Sequence, residues 1–161
     1  MVVSSLVAIE KFGNRSHPFR SSELHRWVSL AGLRVLLVED DVDQLELLSS
    51  LLEHANAQVV KATSAEQALQ QPAQRAPDVI VSDINMPDCD GYHFLRRVRS
   101  RRVEDGGATP AIALTGRTRP EDQTRALLAG YQLHFSKPLR LLELLLAIRG
   151  LGEVTGRRSP A

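Results

Sequence analysis

Short apolar runs alternate with longer stretches of helical periodicity along most of this chain. From Arg34 onward, β-branched or leucine-rich runs fall at Arg34–Val38, Gln58–Lys61, Asp78–Ser82, Ala111–Leu114 and Leu133–Phe135, each of strand length. Between them, Val42–Ala55 places Leu45, Leu48, Leu51 and Leu52 at three- and four-residue spacing, with Asp41 set to cap a helix. Ala65–Gln71 follows Ser64, a second capping residue, and Pro72 disturbs its end. Tyr92–Val103 turns Phe94, Leu95 and Val98 inward beneath an arginine-rich outer face. Pro120, Glu121 and Asp122 have the chemistry of a helix first turn, the stripe Ala126, Leu127 and Leu128 follows, and Gly130 is the stop. A fifth helix, Leu139–Leu151, is almost saturated with leucine.

Strands and helices in strict alternation predict an α/β fold, with a parallel sheet covered on both faces. Right-handed crossovers make a doubly wound sheet the expected outcome. Such sheets bind ligands beyond the carboxyl ends of their strands, so the residues just after each strand are where chemistry is to be sought.

Residues 1–33 stand outside the alternation and are expected to form an N-terminal extension. Ser22–Ala31 could form one short helix, with Leu24, Trp27 and Val28 on its apolar side. Met1–Ile9 lacks the basic start and cleavage site of a signal peptide. Residues 152–161 are small, polar and basic, and are expected to form a flexible tail. That leaves 34–151 as the folded domain, with no internal repeat. Neither flank is long enough to build an output domain of its own.

Composition changes this picture little until it is divided. The 161 residues hold 43% apolar and 24% charged side chains, which suits a globular domain and excludes a wholly disordered or collagen-like chain. No apolar run approaches the roughly 20 residues a bilayer-spanning helix needs. Cys89 is the single cysteine, so no internal disulfide forms. In the loop where it falls it is more simply a small apolar residue than a redox site. The totals of 20 Lys and Arg against 19 Asp and Glu conceal a net +3 over residues 1–34, −6 over 35–105 and +4 over 106–161. The acidic middle crowds its charges into a few short stretches.

Those stretches lie at strand ends. Glu39, Asp40 and Asp41 follow the first strand, Asp83 the third, Thr115 ends the fourth and Lys137 follows the fifth. Carboxylates brought face to face repel one another unless a cation sits between them. Carboxylate oxygens with open water positions suit Mg²⁺. A lysine and a hydroxyl beside such an ion recruit a phosphoryl group, and one carboxylate is left free to attack it. Taken singly, an acidic triplet is most often a solvated cap and a Lys-Pro pair a turn. Their order along one sheet edge is what carries weight.

The segments Val35-Leu-Leu-Val-Glu39-Asp40-Asp41, Asp78-Val-Ile-Val-Ser-Asp83-Ile-Asn85-Met86-Pro87, Asp90-Gly91, Ile112-Ala-Leu-Thr115-Gly116 and Phe135-Ser-Lys137-Pro138-Leu139 occur in this order and spacing. Through them the chain from about Arg34 to Leu151 resembles a response-regulator receiver domain of two-component signalling. The resemblance implies a flavodoxin-like (βα)5 fold with strand order 2-1-3-4-5. It implies Asp83 as phosphoacceptor and Asp40 and Asp83 as Mg²⁺ ligands, with Glu39 acting through a water and Asn85 through its backbone carbonyl. Lys137 would neutralise a phosphoryl oxygen, and Thr115 would bond to the phosphoryl group and sense it. The Lys137–Pro138 bond is expected to be cis.

Beyond the site, the resemblance implies a signalling phosphoacceptor rather than an enzyme, one that catalyses only its own Mg²⁺-dependent phosphorylation and dephosphorylation. Its partners would be a histidine kinase or phosphotransfer protein and a downstream protein, with dimerisation through helix 4, strand 5 and helix 5. No nucleic-acid or membrane partner is expected, and the setting is cytoplasmic. The expected form is a stand-alone regulator, and the alternatives are the receiver portion of a hybrid histidine kinase or an unphosphorylated pseudo-receiver. The intact Asp40, Asp83, Thr115 and Lys137 set argues against the last. A small-molecule phosphohydrolase of aspartyl-phosphate type would want a carboxylate two residues after the nucleophile, where Asn85 stands.

Two features depart from the family pattern or exceed what the fold needs. His134 holds the switch position three residues before Lys137, where the family more often has Tyr or Phe. It is either a tolerated substitution or a source of pH-modulated signalling. The leucines of helix five outnumber what one face needs, which calls for a cover from residues 1–33, a partner or a second copy.

Overall fold

A computed structural model describes residues 28–71, 76–116 and 119–155. Five strands form one parallel sheet: β1 Arg34–Val38, β2 Gln58–Ala62, β3 Val79–Asp83, β4 Ala111–Thr115 and β5 Leu133–Ser136, in the order β2-β1-β3-β4-β5. The composition of each strand follows its place. The central β3 and β4 are buried at every position, and so is β1 beyond Arg34. The edge strands β2 and β5 carry the exposed Gln58, Lys61 and Ser136, as strands with only one neighbour tolerate.

Side chains alternate between the two faces. On one face Leu36, Val38, Ile80, Ala111 and Ala113 pack under α2 Ala65–Leu69, α3 Gly91–Arg99 and α4 Pro120–Ala129. On the other, Val35, Leu37, Val79, Val81, Ile112 and Leu114 pack under α1 Val42–His54 and α5 Leu141–Val154. Asp41, Ser64 and Asp90 cap α1, α2 and α3 by accepting from Gln44, Gln67 and His93 amides at 3.1, 3.1 and 2.8 Å. Each such cap contributes about 1 kcal/mol. Pro120 opens α4, and Gly130 ends it at φ 107°, a conformation that costs glycine least.

Most element boundaries fall within one or two residues of the sequence expectation, and the larger differences are at the ends of α3 and α5. α3 stops at Arg99 rather than Val103, because Ser100 caps it and the chain turns through a 3₁₀ segment, Val103–Asp105, that Gly106 closes at φ 88°. α5 starts at Leu141 and runs to Val154, so Gly152, Glu153 and Val154, expected in the tail, are helical. Gly152 packs closely there: a Cβ on it would lie 2.7 Å from a methyl carbon of Leu33, which would have to move aside.

That contact also bears on the extension. Val28, Leu30 and Leu33 are buried in the same core layer as α1 and α5, and Leu30 N donates to Ala55 O at 2.7 Å. Val28–Leu30 is not helical. The rest of the expected Ser22–Ala31 helix, up to Trp27, and the tail beyond Thr155 lie outside the described residues. α5 accordingly hides its leucines: Leu144, Leu145 and Ile148 are buried, and Leu141, Leu142, Leu146 and Leu151 pack half-buried on the same layer. Large apolar side chains are exposed on α4 and β5, at Leu127, Leu128 and Leu133, and at Val154 in the last turn of α5.

Candidate functional site

Parallel register carries four strand ends to one edge. Val38 pairs with Ser82, Asp83 with Leu114, and Thr115 with Ser136. Glu39 and Asp40, Asp83, Thr115 and Lys137 therefore emerge side by side although the chain separates them by up to 98 residues. One carboxylate oxygen from each of Glu39, Asp40 and Asp83 lies within 4.8 Å of the other two.

Lys137 closes the cluster. Its ammonium donates to Glu39 Oε2 at 3.1 Å, to Asp83 Oδ2 at 3.3 Å and to Gln44 Oε1 at 2.9 Å. The second oxygens of the same carboxylates take backbone amides: Asp41 N donates to Glu39 Oε1 at 3.1 Å and Asn85 N to Asp83 Oδ1 at 3.0 Å. Lys137 is itself fixed from behind, its amide donating to Thr115 O at 2.7 Å, and the Lys137–Pro138 peptide is cis as expected. The Thr115 hydroxyl is buried and accepts from Asn85 Nδ2 at 3.4 Å.

Electrostatics follow from burial. Burial pushes the Glu39 carboxyl up from its ordinary value. The Asp41 amide opposes this, the Asp83 charge adds to it, and Lys137 relieves part of it. For Lys137 burial pulls the ammonium down, but its hydrogen bond to Glu39 and the Asp83 charge outweigh burial and hold it above the ordinary lysine range. Carboxylates gathered in this way are a hard-oxygen donor set, and they fit a magnesium ion.

The loop between Asp83 and α3 is pinned by two contacts absent from the sequence reading. Gly91 N donates to Ile84 O at 2.9 Å, and the buried Tyr131 hydroxyl donates to Gly91 O at 2.8 Å. Burial raises the Tyr131 phenol well above its ordinary value, so it remains a donor. Gly91 has no room for a side chain, since a Cβ would stand 2.7 Å from Ile84 Cα and 2.8 Å from Asp83 O. Nothing in the sequence marks Gln44 as part of the site: three residues after a capping Asp, a glutamine reads first as part of the cap.

His134 is half-buried on β5, on the face covered by α4. Its Nε2 is buried without a hydrogen-bond partner, as is Oδ2 of Asp122 in the first turn of α4. The arginines of α3 and of the turn that follows it are largely bound to the domain itself. Arg97 pairs with Glu66, Arg102 with Asp105, Arg101 donates to Leu69 O, and Arg99 donates to the carbonyls of Gly107 and Gly130. Cys89 is half-buried against the core beside these helices.

A doubly wound sheet with an acidic cluster and a lysine at its carboxyl edge defines an α/β domain built to handle a cation and an anion together. The chain matches the response regulator receiver domain family over residues 35–149. It belongs to that family, whose members are signalling modules of two-component systems in which phosphorylation and Mg²⁺ are typical.

Among relatives, it is 39% identical over 117 residues to an uncharacterized 14.6 kDa protein in the sodA1 3′ region of Leptolyngbya boryana, covering 73% of this chain and 88% of that one. It is 35% identical to hybrid signal transduction histidine kinase D of Dictyostelium discoideum, over 71% of this chain but only 8% of that much longer protein. Among solved structures, the receiver domain of a sensor histidine kinase from Pseudomonas aeruginosa, with a magnesium ion coordinated in its active-site cleft, superposes with a TM-score of 0.68. It is 28% identical and covers 76% of this chain and 99% of that one. No helix among the described residues is long and apolar enough to cross a membrane.

Proposed function

We infer that Asp83 accepts a phosphoryl group from a phosphohistidine on a kinase or phosphotransfer partner. The observation that carries this is the meeting of Glu39, Asp40 and Asp83 within 4.8 Å, with the Lys137 ammonium 3.3 Å from Asp83. Asp40, Asp83 and the Asn85 carbonyl would hold Mg²⁺, with Glu39 acting through a water. Bound there, the ion would draw off charge from the phosphoryl oxygens.

In the transfer, an Asp83 oxygen attacks phosphorus in line, the P–N bond breaks, and the imidazole leaves with the electron pair and is protonated. Lys137 balances charge on an equatorial oxygen. The product is an acyl phosphate. Water attack on phosphorus later breaks the P–O bond to Asp83, releasing inorganic phosphate and restoring the carboxylate. Thr115, whose hydroxyl sits beside Asn85, would turn its donor to the phosphoryl group once it forms, and His134 on the neighbouring strand would respond.

The exposed Leu127, Leu128 and Leu133 support an output surface on α4 and β5, continuing onto α5. Its occupant would be a downstream protein or a second copy of this chain, in the cytoplasm where kinase and receiver meet.

The test is labelling by a small-molecule phosphodonor, with and without Mg²⁺, on wild type and Asp83→Asn. Hydroxylamine-sensitive, alkali-labile label that needs both Mg²⁺ and Asp83 is expected. Equal label in the variant, or none in wild type, overturns the assignment.

A further inference from the structure

Lys137 has three acceptors, and one of them has no part in the acidic cluster. Gln44 lies in the first turn of α1, and its Oε1 accepts from Lys137 Nζ at 2.9 Å, the shortest of the three contacts. The other end of the same amide, Nε2, donates to Asp41 Oδ2 at 3.3 Å, while Asp41 Oδ1 accepts from the Gln44 backbone amide at 3.1 Å. These partners leave the side-chain amide a single orientation. A carboxylate only accepts and an ammonium only donates, so nitrogen must face Asp41 and oxygen Lys137. Asp41, Gln44 and Lys137 thus form one directed row, from the helix cap to the cation beside Asp83.

We propose that Gln44 is a positioning residue for phosphoryl transfer, holding the Lys137 ammonium against Asp83 through a neutral acceptor anchored on Asp41. The chemistry favours a neutral group in this role. Lysine is a long flexible chain that loses much rotamer freedom when held in place, and an acceptor fixed by a cap supplies part of that restraint beforehand. A carboxylate there would restrain it as well, but would add negative charge where an anionic phosphoryl group must approach. When Asp83 becomes an acyl phosphate, Lys137 must move a donor from the carboxylate to a phosphoryl oxygen. The Gln44 contact can persist through that exchange, because neither partner changes charge.

The inference rests on Asp83 being the phosphoacceptor, and the experiment separates the two. Gln44→Met keeps length and helix propensity but removes both hydrogen bonds. It is to be measured alone and combined with Lys137→Met, reading the rate of labelling by acetyl phosphate at saturating Mg²⁺, the half-life of the acyl phosphate, and Tm. With Lys137 present, Gln44→Met should slow labelling about three- to tenfold, the effect of losing one hydrogen bond of ordinary net strength. In the Lys137→Met background it should change nothing, since its target is gone. A merely structural role would lower Tm and slow labelling equally in both backgrounds, and that result overturns the proposal. So does Gln44→Met at the wild-type rate while wild type labels normally. No label in wild type overturns the phosphoacceptor assignment and this inference with it.

Discussion

The ammonium of Lys137 stands 3.3 Å from the carboxylate of Asp83, 54 residues away in sequence, and parallel register alone brings them together. β4 delivers Thr115, whose carbonyl accepts from the Lys137 amide at 2.7 Å, and β3, paired to β4, delivers Asp83. Replacing the lysine leaves two buried carboxylates without a counter-charge. Lys137→Met should destabilise the metal-free protein by about 1–3 kcal/mol, slow phosphodonor labelling at least about tenfold, and tighten Mg²⁺ binding by removing a competing cation. Titration of Mg²⁺ followed by intrinsic fluorescence or calorimetry checks the last point, and weaker binding in the variant would contradict this account.

Glu39 gives the site a pH signature whose sign can be worked out. Its carboxyl is raised in the folded protein, chiefly by burial, so ionising it costs more in the folded than in the unfolded chain. Its contribution is therefore most favourable below its unfolded pKa, near 4.5, and is lost as pH rises through the higher folded value. Without divalent cations, Glu39→Gln should gain stability relative to wild type as pH rises from about 4 to 7, and added Mg²⁺ should shrink that gain. Urea unfolding at three pH values reads this directly. A difference that is flat, or that slopes the other way, refutes it.

The tight packing around Gly91 leads to a steric prediction. A methyl group there meets Ile84 Cα at 2.7 Å and Asp83 O at 2.8 Å, both backbone atoms that cannot rotate away. Gly91→Ala should cost about 1–3 kcal/mol and slow labelling, because relief of the clash displaces the strand end that carries Asp83. Tyr131→Phe removes the neighbouring hydrogen bond to Gly91 O without adding bulk. It should cost about 1–2 kcal/mol with a smaller effect on labelling. A Gly91→Ala protein as stable and as active as wild type would show that the loop yields more easily than its contacts imply.

Much of this was legible in the sequence for a simple reason. Central strands buried on both faces must be continuous apolar runs, so Val35–Val38, Val79–Val81 and Ala111–Leu114 announced both their length and their place. Once the strands are set, a parallel sheet fixes which edge their final residues share, and Glu39, Asp40, Asp83, Thr115 and Lys137 follow. What periodicity does not encode is the contact made by a single polar side chain across elements. Gln44 reads as a cap until the position of Lys137 is known, and Tyr131 reads as an apolar residue after a glycine stop until Gly91 O is found opposite its hydroxyl. The surplus of leucine on α5 called for a cover without saying which of the candidates supplies it. Part of it comes from Val28, Leu30 and Leu33 of residues 1–33, where Val28–Leu30 packs as non-helical chain rather than as the expected helix.

His134 offers the last test. Burial lowers its pKa below the ordinary histidine value, and Asp122, facing it from α4, opposes that shift without overcoming it. Tyr92 from α3 donates its hydroxyl to Asp122 O at 3.3 Å, and Arg125 of α4 lies over the Tyr92 ring, so a cation stands near the pair. With the folded pKa depressed, the neutral ring prevails at pH 7. Its contribution to stability is present above the unfolded pKa of 6.5 and is lost as pH falls below that value. His134→Tyr should remove this acid-side loss, flattening the unfolding free energy between about pH 7 and 5 relative to wild type. Partner affinity, if it depends on the ring, should differ between the two proteins at pH 5.5 and converge toward pH 8. Parallel stability profiles for both proteins would mean that the ring titrates as it does in the unfolded chain, and that burial at this position is too slight to govern it.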